Sequence, residues 1–179
     1  MIADKLRVIL VTTHIPLKDV ASTLTKQLII EKISTSFQFL NGLGIKKPNI
    51  IVSGLNPHAG EGEVLGTEEE NIIKPAISYL NKNGIKCKGP LPPDTVYKYA
   101  LEKKADLIVA MYHDQALIPP KTFFFDKLVN YTAGLKIVRT SPGHGTGFDI
   151  SYKNKSNPNS FIEAYKTNIK FLTSKTPQI

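Results

Sequence analysis

Three of the four histidines in this 179-residue chain stand just past a run of apolar residues. His14 follows LRVILVT (Leu6–Thr12), His58 follows NIIVS (Asn49–Ser53), and His113 follows DLIVAMY (Asp106–Tyr112). Apolar, β-branched runs without alternation read as buried strands of a parallel sheet. Ligands of such sheets bind beyond the carboxyl ends of the strands, so the three imidazoles are expected along one edge. Three neutral imidazoles suit Zn²⁺, Co²⁺ or a similar divalent ion and leave a coordination position open. An ion held that way polarises a carbonyl or alkoxide oxygen. The spacings of 44 and 55 residues match no local metal motif, so only the fold can assemble a shared site.

Other groups could serve the same edge. The loop GLNPHAGEGEVLGTEEE (Gly54–Glu70) surrounds His58 with Pro57 and four glycines, which allow tight turns and close approach to a bound group. Thr67 with Glu70 three residues on has the spacing of a capping box, predicting a helix start there. Asp114, beside His113, could orient the imidazole or join a proton relay. Asp94, after Pro92-Pro93, is either a fixed catalytic carboxylate or a plain helix N-cap. Lys121, Asn130 and Arg139 follow one another at nine-residue intervals and as a set suit phosphate and carboxylate oxygens. Phe123-Phe124-Phe125 suggests core or a buried interface, and His144 opens the Gly-rich loop HGTGFD.

The elements that must carry these groups alternate between strand and helix. Thr25 can cap a helix reaching about Leu40, with Ile29, Ile33 and Phe37 on one face and Gly42 and Gly44 ending it. A second helix, Glu68 to about Asn83, buries Ile72, Ile73, Ala76, Ile77 and Leu80, with a kink expected at Pro75. A strand at Ile85–Lys88 and a helix from Asp94 to Lys103 follow. Beyond His113 come a proline turn at Pro119-Pro120, extended runs at Leu128–Thr132 and Lys136–Thr140, and a final amphipathic helix from Asn159 to about Leu172. The alternation predicts an α/β fold with a partly parallel sheet.

With 41% hydrophobic and 21% charged residues the chain is of the ordinary globular class and long enough to bury a core. No apolar run is long enough to span a membrane. The absence of a charged-then-apolar leader and the single Cys87 suggest a reducing cytoplasm. The net charge of +8 does not indicate a nucleic-acid binder, because the 23 Lys and Arg are spread without an Arg-rich block or aromatic-basic stripe.

The segments THIPL, GLNPHAGE, GPLPPDT, MYHDQ, VNYTAGL, VRTS and HGT occur in this order. Together, from about Ala3 to Ala164, the chain resembles the 4-hydroxythreonine-4-phosphate dehydrogenases, NAD-dependent enzymes of pyridoxal phosphate biosynthesis. The resemblance implies an isocitrate/isopropylmalate dehydrogenase-like fold and a homodimer with the active site at the subunit interface. It makes His14, His58 and His113 the ligands of a divalent metal (Zn, Mg or Co), contributed by both subunits. It puts Lys121, Asn130 and Arg139 on a small phosphorylated substrate, and His144, Gly145, Thr146 and Asp149 on NAD. Proton transfer falls to Lys121 or Asp94. The family reaction oxidises the secondary alcohol of 4-phosphooxy-L-threonine, and the β-keto acid then loses CO₂ to give 3-amino-2-oxopropyl phosphate.

Family members are roughly twice this length, and the chain begins where their second half begins, so the first domain is expected to be largely missing. Residues 1–148 would be the metal-binding and dimerisation domain, and 149–179 a segment that normally returns to the absent domain. Glu63 stands where a second glycine is usual, and Pro142-Gly143 precedes His144 where an acidic residue is common. Two other outcomes compete with a working half-enzyme. One is a non-catalytic dimerising metal-binding remnant; the other is a related dehydrogenase for threonate or erythronate phosphate.

Overall fold

A computed structural model describes residues 1–4 and 6–173. The apolar runs read as strands pair as expected, at the centre of one mixed sheet. Its strands are β1 (Ile2–Ala3), β2 (Leu6–Leu10), β3 (Ile50–Ser53), β4 (Cys87–Leu91), β5 (Leu107–Ala110), β6 (Val129–Tyr131) and β7 (Thr140–Pro142), in the spatial order β4-β3-β5-β2-β1-β6-β7. The four strands β4, β3, β5 and β2 are parallel, with Ile50, Ile51 and Val52 opposite Leu107, Ile108 and Val109. The remaining pairings are antiparallel, and β6 faces β7 through Asn130 opposite Ser141. This is the mixed α/β sheet flanked by helices that the alternation predicts.

Six α-helices accompany the sheet among the described residues: α1 (Val20–Thr23), α2 (Lys26–Gly42), α3 (Lys74–Lys82), α4 (Tyr97–Leu101), α5 (His113–Phe124) and α6 (Asn159–Thr173). α2 starts where its sequence predicts, because Thr25 Oγ1 accepts a hydrogen bond from the Leu28 amide at 3.1 Å. Its buried face carries Ile29, Ile33 and Leu40. The inner parallel strands β3 and β5 are buried on both faces: Val52 and Val109 pack with α2 and α3, while Ile51 and Ile108 turn to the side of α4 and α5. Each such fully buried aliphatic side chain contributes roughly 1.5–3 kcal/mol.

Several boundaries differ from the sequence reading. The strand expected at Ile85–Lys88 begins at Cys87. Gly84, at φ +80°, closes α3 with the Ile85 amide on the Leu80 carbonyl, and the Asn81 side chain then brackets Cys87 with bonds of 2.9 and 3.0 Å. Pro75 sits in the first turn of α3, where its missing N–H is harmless. The irregularity precedes it, as a π-helical stretch Glu69–Ile73 closed by the Lys74 amide on the Glu69 carbonyl. The extended run placed at Lys136–Thr140 is instead the hairpin loop, with β7 starting at Thr140 because Tyr131 pairs with Thr140.

Pro119-Pro120 does not turn the chain; it lies inside α5. Proline at 119 leaves the Gln115 carbonyl without its helical donor. The Tyr97 hydroxyl takes the donor's place, bonding Gln115 O at 2.6 Å from a buried position that pushes its own pKa upward. Tyr97→Phe is therefore expected to lower stability by about 1–3 kcal/mol, the penalty of an unsatisfied buried carbonyl, as read by chemical denaturation. An unchanged midpoint would show that the carbonyl finds another donor.

Of the three phenylalanines, only Phe124 packs against the core; Phe123 and Phe125 are exposed, so the core half of the expectation holds for Phe124 alone. α6 rests on the β6–β7 hairpin through Ser160 Oγ on Leu128 O and Thr140 Oγ1 on the Ala164 carbonyl. Its other side presents Phe161, Tyr165, Ile169 and Leu172 to solvent. Residues 174–179 of the proposed C-terminal segment lie outside the described residues. Among the described residues no helix is long and apolar enough to cross a membrane.

Candidate active site at the strand edge

His14 and His113 meet because β2 and β5 are neighbours and end level with each other. Val11 N bonds the Ala110 carbonyl at 2.9 Å, and the Thr12 amide and hydroxyl both donate to Met111 O, at 3.1 and 2.8 Å. The chain then delivers His14 from one strand end and His113 from the first turn of α5, with ring centres 5.5 Å apart. Two imidazoles on one tetrahedral ion, with metal–nitrogen bonds of about 2.0–2.1 Å, hold their ring centres roughly 5 Å apart. The pair therefore fits a shared divalent ion. His113 Nδ1 lies 2.6 Å from Asp114 Oδ1, so the carboxylate occupies that side of the ring and leaves Nε2 as the nitrogen without this partner. A shallow hollow of about 240 Å³ opens in front of them, lined by Thr13, Ile15, Leu17 and Tyr112 as well as both histidines.

His58 reaches the same edge from β3, on the other side of β5, but takes a different partner. Its Nδ1 lies 3.6 Å from Glu61 Oε2, and both side chains are well exposed. Among the described residues no three His, Cys, Asp or Glu side chains converge on one point. One chain thus brings together two of the three expected ligands and leaves the third beside them.

The His58 loop is strained and tightly held. His58, Ala59 and Glu61 all lie in the left-handed region, at φ of 53°, 56° and 43°, each at roughly 1–2 kcal/mol. Glu63, where the resemblance leads one to expect glycine, also has a positive φ, of 76°. Opposing this strain is Glu69. Only 1% exposed, it accepts from the amides of Leu55 and Asn56 on Oε1, both at 2.8 Å, and from Asn56 Nδ2 on Oε2 at 2.9 Å. The expected capping box does not form: Glu70 pairs with Lys74 instead. Gln115 ties this loop to the His113 turn, accepting from the Met111 amide at 2.6 Å and donating to Gly54 O at 2.9 Å. Neither Glu69 nor Gln115 stands out in the sequence, since each role depends on burial that no local pattern announces.

The other expected groups are more scattered. Asp94 is exposed in the turn after β4 and caps nothing; the amides of Thr95 and Val96 bond the Pro92 carbonyl, so α4 starts only at Tyr97. Lys121 is half-buried on α5 and Asn130 half-buried on β6, while exposed Arg139 donates from Nη1 to Thr132 Oγ1 at 2.9 Å. Among the described residues, no hydrogen bond or ion pair joins these three to one another. His144, Gly145 and Thr146 form an exposed loop after β7, with His144 Nδ1 2.8 Å from the Gly145 carbonyl. The side chain of Asp149 lies outside the described residues. Cys87 is no nucleophile here, since burial pushes its thiol up to about 12. A larger hollow of about 590 Å³ lies elsewhere, around Phe39, Tyr131, Phe171 and Leu135, and shares no residue with the histidine edge.

The family model described as pyridoxal phosphate biosynthetic protein PdxA matches residues 1–168. The chain belongs to the PdxA family. A 4-hydroxythreonine-4-phosphate dehydrogenase from Sulfurihydrogenibium sp. is 51% identical over 165 residues, covering 92% of this chain and 51% of that protein. A D-threonate 4-phosphate dehydrogenase from Pectobacterium atrosepticum is 46% identical, over 88% of this chain and 48% of its own. The crystal structure of a Klebsiella pneumoniae 4-hydroxythreonine-4-phosphate dehydrogenase superposes with a TM-score of 0.88 at 41% identity, covering 96% of this chain and 52% of that one. The expected fold is therefore that of the PdxA dehydrogenases, and the chain spans about half the length of its PdxA relatives.

Proposed function

We propose that this chain is the metal- and dimer-forming half of an NAD-dependent PdxA-type dehydrogenase. Its reaction is oxidation of 4-phosphooxy-L-threonine followed by decarboxylation to 3-amino-2-oxopropyl phosphate, in cytoplasmic pyridoxal phosphate biosynthesis. The observation that carries this reading is the His14–His113 pair at 5.5 Å, at the carboxyl ends of parallel strands in a PdxA chain. His14, His58 and His113 form one ligand set completed across a homodimer, because a single chain brings only two of them together. The exposed Leu17, Ile118, Phe123 and Phe125 are apolar groups that such a dimer would cover. A divalent ion bound there acts as a Lewis acid on the substrate's reacting oxygen.

The chain's own side chains divide the remaining work. Arg139, Asn130 and Lys121 hold the phosphate and carboxylate oxygens, Arg139 by its fork and Lys121 as a point charge. Lys121 or Asp94 moves the proton. His144, Gly145 and Thr146, exposed after β7, contact NAD together with Asp149. The apolar face of α6, Phe161 to Leu172, is where the remaining half of a PdxA-length protein would pack.

Mixing this chain with a polypeptide supplying the other half of the family length tests the proposal, with NADH formation as the readout. Activity with 4-phosphooxy-L-threonine supports it. A metal-binding dimer that stays inactive would make the chain a non-catalytic remnant. Preference for D-threonate or erythronate 4-phosphate would favour the second reading, which the 46% identical Pectobacterium relative motivates. Arg139→Ala is expected to spare metal content and weaken phosphorylated ligands about 10–100-fold, the loss of a charge-assisted hydrogen bond. Equal affinity in that variant would remove Arg139 from the substrate site.

A further inference from the structure

We infer that Glu69 is the positioning residue for His58: its buried carboxylate fixes the loop that aims this imidazole, without touching the metal itself. The inference rests on the reading of His58 as a metal ligand and assigns the group that makes it one. Three donors converge on Glu69: the consecutive amides of Leu55 and Asn56 on Oε1, and Asn56 Nδ2 on Oε2. All three belong to the two residues just before Pro57-His58. The loop also lies directly on the carboxylate. A Cβ added to Gly54 would fall 3.0 Å from Glu69 Oε1, and one added to Gly60 only 2.8 Å from Oε2. His58 is thus flanked on both sides by backbone in contact with this one side chain. A run of left-handed residues needs such an external hold, because its own backbone conformation disfavours it.

The carboxylate is not replaceable by its amide. Glutamine would keep an oxygen for the two backbone amides but turn an NH₂ group toward Asn56 Nδ2, placing donor against donor. Flipping the Asn56 amide only moves the conflict, since its Nδ2 also donates to Glu68 Oε2 at 2.8 Å. Glu69→Gln therefore keeps the shape of the side chain while loosening its grip on the loop.

Zn²⁺ titration of the full chain, as wild type, Glu69→Gln, His58→Ala and the double variant, gives the test. Glu69→Gln is expected to lower metal affinity about 10–100-fold, the range for groups that orient ligands. In the His58→Ala background the same change should have no further effect, because a residue acting through His58 has nothing left to act on. Equal additive losses in both backgrounds would overturn the proposal, as would wild-type affinity in Glu69→Gln. A second readout needs no metal. In Glu69→Gln the His58 imidazole resonances should move and the Leu55 and Asn56 amides lose exchange protection, while the His14 and His113 resonances stay. If His58→Ala binds Zn²⁺ like wild type, the metal-ligand reading fails, and the metal-free spectra still decide whether Glu69 holds His58. If Glu69→Gln does not fold, Asn56→Ala removes only the side-chain donor, and the same comparisons apply with a smaller shift.

Discussion

His113→Ala is expected to abolish stoichiometric metal binding, and Asp114→Asn to weaken it about 10–100-fold without changing the fold. His113 shares the front of the hollow with His14, and its ring is fixed by the Asp114 carboxylate at 2.6 Å. Removing the imidazole leaves one histidine at this point of the edge. Amidation of Asp114 leaves the imidazole in place but no longer selects which nitrogen carries the proton. Elemental analysis and Zn²⁺ titration read both effects, and about one ion per chain in the wild type is the reference. Full metal content in His113→Ala would sink the assignment of this edge as the metal site.

The second large effect falls on stability. Gly89, at φ +138°, lies in β4 against β3, and a Cβ there would stand 2.3 Å from the Val52 carbonyl oxygen. That atom is backbone of a buried inner strand and cannot step aside as a flexible side chain can. Gly89→Ala combines a disfavoured backbone angle with a clash that must push β4 away from β3, so a loss of about 3 kcal/mol or more is expected. Because β3 leads straight to the His58 loop, metal affinity should fall with it. A denaturation midpoint within error of wild type would show that β4 can shift outward as an edge strand.

What could be read in the sequence follows from how local each signal is. The Thr25 cap, the α2 and α3 faces and the buried strands β3 and β5 depend on spacing within a few residues, and they stand as expected. The family followed from motif order along the chain, and the family model agrees. The placement of His14 beside His113 was legible only as a shared edge, since strand order is not written in any one segment. Roles set by burial across the fold were not legible. Glu69 and Glu70 are adjacent and chemically identical, yet one is buried under the His58 loop and the other pairs with Lys74. Pro119-Pro120 reads as a turn until the Tyr97 hydroxyl, 18 residues before Gln115, replaces the missing helical donor.

The bonds that align β2 with β5 also set a clock. Thr12 and Met111 are separated by 99 positions along the chain, and nothing local can bring them together. Closing so long a loop carries its entropic penalty before any contact rewards it, and parallel pairings of this kind form slowly. The His14–His113 pair is therefore expected to form late in folding. An ion captured there would bind only chains whose central sheet has closed, so the rate of metal uptake after dilution from denaturant should report the last step of sheet assembly.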